Sequence, residues 1–141
     1  MSNSDRNVVI VPCSGIGKTY GSVSREAAYE VVEDLRPVVT ELVALSLLVL
    51  GDPEARAMLA ASPAVTIDGC KLACAEKMVK ESGGTVARGI EVLDVYRCNR
   101  HLKPQGIAEL NDDGRRLAHV VAEGIVEAVD HFRDGRGGND A

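Results

Sequence analysis

The chain has 141 residues, 45% hydrophobic and 26% charged, the composition of one ordinary globular domain, and that length buries a core without disulfide staples. A formal charge of −5, 3% aromatic residues and no Trp supply neither the basic field nor the stacking surface that nucleic acid or an anionic membrane requires. The apolar run at 8–11 is too short for a signal-peptide core and that at 42–50 too short for a membrane span, so a cytoplasmic protein is expected, with four cysteines kept reduced unless they hold metal or do chemistry.

Residues 7–12 (NVVIVP) read as a strand buried on both faces of a parallel sheet. The glycine-rich stretch 13–21 reads as a loop of defined shape. From Ser22, a plausible cap, Val23, Ala27, Ala28, Val31, Val32 and Leu35 recur at helical spacing until Pro37. Residues 40–50 fit a buried strand, a buried helix, or a strand running into a helical turn. Asp52 and Pro53 open a helix that Pro63 closes. Residues 64–68 (AVTID) form a second buried strand, turned by Gly69 into a helix over 70–81. Residues 89–96 alternate like a strand near the sheet edge. A last helix over 112–133 buries Leu117, Val121, Ile125, Ala128 and Phe132, and 134–141 reads as a frayed tail. The chain shows no internal repeat or linker. Strands alternating with helices predict one α/β domain, a three-layer α/β/α sandwich on a mainly parallel sheet of about four strands.

Ligand sites in such sheets lie beyond the carboxyl ends of the strands. On this reading Cys13, Cys70 and Cys98 each follow a strand, so three crossovers deliver thiols to one rim. Cys74 lies one helical turn after Cys70, which puts both sulfurs on one face at a helix N-terminus, where thiolate is favoured. Such a pair is half of a tetrahedral zinc site. His101 adds an imidazole at Cys-x-x-His spacing after Cys98, although a polar turn also suits a solvated histidine. The competing reading is inert burial, common for free cysteine.

Residues 12–19 (PCSGIGKT) match a phosphate-binding loop except that Pro12 stands in place of the first glycine. That substitution, and Gly21 falling where the motif is already helical, count against nucleotide binding. The loop instead suits backbone amides of Ser14, Gly15 and Gly17 wrapped around a thiolate or small anion, with Lys18 beside Cys13. Asp68 acts as a helix cap, or else orients a ligand from behind.

Residues 67–70 (IDGC) followed by Cys74, together with 13–18 (CSGIGK), resemble the DGC-domain family of small prokaryotic zinc-binding proteins. The resemblance implies a compact α/β domain in which cysteines chelate zinc, and it carries no established reaction. It places the family's ligands on Cys13, Cys70 and Cys74. Many relatives have a further cysteine near residues 44–46, absent here. A four-thiolate site would then draw on Cys98, or else on His101 or water. The expectation is a cytoplasmic zinc-binding domain using Cys13, Cys70, Cys74 and Cys98, with a small anionic ligand as a further partner. The alternatives are a thiol enzyme with Cys13 as nucleophile, an iron–sulfur carrier, and a partner-binding module whose thiols only pack.

Overall fold

The computed structural model describes residues 7–13, 18–69 and 72–139, with side chains as far as 134. β1 (Val8–Pro12) is buried along its whole length, as a continuous β-branched run requires. It pairs in parallel with β2 (Thr40–Leu42) on one side and β3 (Ala64–Asp68) on the other. β4 (Val86–Glu91) adds to β3, also in parallel, for a sheet order β2-β1-β3-β4. The α/β fold with a parallel sheet of four strands is therefore the one the sequence predicts.

Side chains of β1 and β3 alternate between two apolar layers. Val8, Ile10, Val65 and Ile67 pack with helices α1 (Thr19–Glu30), α5 (Val92–Arg97) and α6 (Asp112–Asn139). Val9, Val11, Cys13 and Ala64 face α2 (Leu45–Leu50), α3 (Pro53–Ala61) and α4 (Cys74–Glu81). Each fully buried Ile or Leu, such as Ile10, Leu59 and Ile125, contributes about 1.5–3 kcal/mol. Because the chain leaves β1 for β2 and then returns across β1 to β3, the topological switch lies between β1 and β3. No helix among the described residues is long and apolar enough to cross a membrane.

The elements differ from the sequence reading at four places that bear on the site. α1 begins at Thr19, so Ser22 is inside the helix rather than its cap, and a π-helical turn (Val31–Leu35) extends it toward Pro37. The ambiguous segment resolves into β2 and the short α2, which ends at Gly51 with φ of 75°. The helix expected over 70–81 starts at Cys74, after Ala73 in the left-handed region at φ 54°. The strand expected over 89–96 stops at Glu91 and becomes α5. In that stretch Val92, Val95 and Tyr96 are spaced i, i+3, i+4 and all meet the core, so the helical period wins over the alternating one. α6 also continues past 133, to Asn139. Asp52 does cap α3, its carboxylate accepting the Ala55 N–H at 2.9 Å.

Candidate functional site

Cys13 is the first residue beyond β1, and its N–H donates to the Ile67 carbonyl at 2.8 Å, extending the β1–β3 ladder past Pro12. This backbone bond fixes the side chain at the switch point, where it is 7% exposed. Its sulfur accepts the Gly69 N–H at 3.2 Å and lies 3.3 Å from Ser24 Oγ. The Ser24 hydroxyl in turn donates to the Gly21 carbonyl at 2.7 Å. A hydroxyl has one proton, so with that bond made the thiol S–H points to Ser24 Oγ and completes a buried relay from Cys13 to α1.

The Asp68-Gly69 pair is dictated by its surroundings. Asp68, 3% exposed, accepts the N–H of Ala75 at 2.8 Å and of Glu76 at 3.3 Å, which satisfies two orphan donors of the first turn of α4. Burial pushes its carboxyl above the ordinary Asp range and Glu76 adds to the rise, while those two amides and Lys77 oppose it. Capping is thus the role of Asp68, but for a helix that starts at Cys74. Gly69 has a different constraint. A Cβ there would sit 2.8 Å from both Gly21 N and Tyr20 C, which are backbone atoms of α1 and cannot swing aside. Only glycine lets the β3–α4 connection lie against the first turn of α1 with its N–H on the Cys13 sulfur.

The remaining site candidates separate. Cys74 is the first residue of α4 and is exposed. α4 begins at Cys74, after Ala73 in the left-handed region, so the helix expected to start at residue 70 does not continue N-terminally of Cys74. Cys98 caps the C-terminus of α5 and is exposed; it is a helix beyond β4 rather than immediately past it. His101 is exposed in the following turn, and Lys18 is exposed at the N-cap of α1. Ser14, Gly15, Gly17 and Cys70 lie outside the described residues. Among the described residues no three His, Cys, Asp or Glu side chains form a metal-binding group. Gly21 is helical and buried, so the objection to a phosphate loop based on it falls; the Pro12 objection stands.

Two features escape the sequence. Ser24 is eleven residues from Cys13 and carries no local signal of its contact. The second is a cavity of about 270 Å³ on the β2 side of Cys13, lined also by Arg25, Tyr29, Leu42, Leu45 and Ser46. It includes Ala44 and Ser46, the segment where the resemblance leads one to expect another cysteine.

With this geometry in hand, comparison with known proteins gives one finding: a family model described as DGC domain matches residues 9–113, well over half of the chain. No curated protein and no solved structure matches.

Proposed function

The chain belongs to the DGC domain family, and from that premise we propose that it binds zinc through thiolates gathered at the carboxyl edge of β1 and β3. Cys13, Cys70 and Cys74 are the ligands, with water in the fourth position, since α5 carries Cys98 to an exposed cap. The observation that carries the reading is the bond from the Gly69 N–H to the Cys13 sulfur at 3.2 Å. Cys70 follows Gly69 directly, so the backbone leading into Cys70 already touches Cys13. The donor chemistry fits. Thiolates are the soft ligands that zinc selects, and an N–H aimed at sulfur is the usual support behind a ligating cysteine. Asp68 is committed to the amides of α4 and acts as a positioning residue that ties the end of β3 to the first turn of α4. Bound zinc would hold the two thiol-bearing loops together and, with a ligand position open, supply Lewis acidity.

The test uses metal-free protein given one equivalent of zinc, desalted and assayed for metal by elemental analysis. The expected outcome is near-stoichiometric retention by the wild type and loss in both Cys13→Ser and Cys70→Ser, with folded variants verified by circular dichroism. Wild type that retains no zinc, or a Cys70→Ser variant that retains as much as wild type, ends the proposal. A Cys98→Ser variant should retain zinc like the wild type, whereas loss of about tenfold or more in affinity would make Cys98 the fourth ligand.

A further inference from the structure

Two hydrogen-bonding groups of the described residues meet the Cys13 sulfur, the Gly69 N–H at 3.2 Å and the Ser24 hydroxyl at 3.3 Å. The first supports the zinc binding proposed above; the second has no role in it so far. We infer that Ser24 is a positioning residue of the metal site, its hydroxyl turning from acceptor of the thiol proton to donor toward the zinc-bound sulfur. The inference rests on that zinc reading and adds a residue to it that no spacing in the sequence points to.

Ser24 is fully buried, and its own hydrogen-bonding need is already met. Its Oγ donates to the Gly21 carbonyl at 2.7 Å, an ordinary local bond for a helical serine, so the approach to sulfur is not needed to satisfy the hydroxyl. Gly21 is also backbone against which Gly69 presses, since a Cβ on Gly69 would sit 2.8 Å from Gly21 N. The same turn of α1 therefore sets both donors about the Cys13 sulfur.

That sulfur lies in an apolar cluster with Val11, Val43 and Leu45 and is 7% exposed, so little water reaches it. A neutral thiol there has one proton to give, and Ser24 Oγ accepts it. When zinc is bound the thiol proton has left to solvent and the sulfur only accepts. An Oγ still oriented as acceptor would then oppose lone pair to lone pair, whereas rotation about its C–O bond aims the O–H at sulfur. The Gly21 carbonyl belongs to α1 and keeps its place in the helical ladder, so the rotation leaves no buried group without a partner. In this low-dielectric setting a second donor on the ligating sulfur offsets its charge, and losing a partner of that kind typically lowers metal affinity by about 10–100-fold.

The test is competition for zinc between metal-free protein and a chromophoric chelator. Ser22→Ala is the matched control, because its hydroxyl is in the same helix but donates to the Ile107 carbonyl rather than lying against sulfur. Ser24→Ala should weaken zinc binding by about tenfold or more, and Ser22→Ala should stay within about twofold of wild type. Alanine is the best helix former, so both variants are expected to fold, which circular dichroism verifies. In cobalt-loaded protein the sulfur-to-cobalt charge-transfer band of Ser24→Ala should move to longer wavelength, since a lost donor raises the energy of the sulfur electrons, and that of Ser22→Ala should keep its position. The inference is overturned if Ser24→Ala binds zinc as tightly as wild type, if the two serine variants weaken binding equally, or if the cobalt band of Ser24→Ala does not move. Each of these results is read against a wild type that holds zinc and so spares the zinc reading; a wild type that holds none ends both.

Discussion

The ends of β3 and β4, neighbours in one sheet, treat the residues that follow them in opposite ways. β3 stops at Asp68 and the chain turns at once, with Gly69 pressed on the backbone of α1 and its N–H on the Cys13 sulfur. β4 stops at Glu91 and runs straight into α5, which carries Cys98 away to an exposed cap. The spacing of a cysteine after a strand is thus no measure of whether it reaches the rim. What decides is whether the next residues can fold against a neighbouring element, and at β3 a glycine and a capping carboxylate make that possible.

The comparison is broken most severely at Gly69. Gly69→Ala drives a methyl into fixed backbone and should cost about 2–3 kcal/mol by urea denaturation. Gly89→Ala, in β4, meets first the Glu76 Oε1 at 2.9 Å, the far end of a flexible side chain in an exposed pair with Lys80, and should stay within about 0.5 kcal/mol of wild type. Equal losses at the two glycines would refute the contrast.

Next in size is the cap. Asp68→Ala leaves two amides of α4 without their acceptor and should cost about 1–2 kcal/mol in chemical denaturation. Asp94→Ala, in α5, removes only an exposed ion pair to Arg97 and should cost no more than about 0.5 kcal/mol.

Carboxylates also sharpen the comparison through pH. The folded pKa of Asp68 is raised, so its stabilising contribution relative to Asp68→Asn is largest below the ordinary Asp value of about 4 and declines as pH rises through the folded value. Asp130, on α6, has the reverse sign. The bidentate bond from Arg36, at 2.9 and 2.7 Å, holds its carboxyl below the usual range. Its contribution relative to Asp130→Asn is present above about pH 4 and lost as pH falls through the folded value. Both partners are more than a third exposed, so that effect is about 0.5 kcal/mol or less. Denaturation of each variant against wild type at neutral and acid pH should give slopes of opposite sign, and parallel slopes would contradict the assigned environments. The smallest effect is Cys98→Ser in metal-free protein, within about 0.5 kcal/mol of wild type in melting experiments, because the thiol is exposed.

The strands that frame the site were legible before the fold was known, and the failures have a common cause. β1 is apolar throughout and β3 is a short run with all five residues buried, so length and pattern identified them, and the Asp52-Pro53 start of α3 is a local signature. Asp68 was readable as a partner of the helix that follows β3, but the amides it meets lie seven and eight residues on, at a start local pattern did not locate. The boundary errors arose where one segment satisfies two periods. Val92, Val95 and Tyr96 serve a helix as well as a strand, and only their packing on the α1 and α6 layer selects the helix. Ser24 and the cavity were invisible because both depend on elements packed from separate parts of the chain.

Taken alone, the amino-acid order determined the α/β class, the family and the elements with a single clear period, since burial pattern, caps and motif residues are local. The tertiary structure decided which thiol meets which amide. Cys13 and Gly69 are 56 positions apart, and what joins them is the parallel register of β1 with β3 and the tight fit of Gly69 on α1. Contacts of that kind depend on distances of a few tenths of an ångström between elements, which no periodicity encodes.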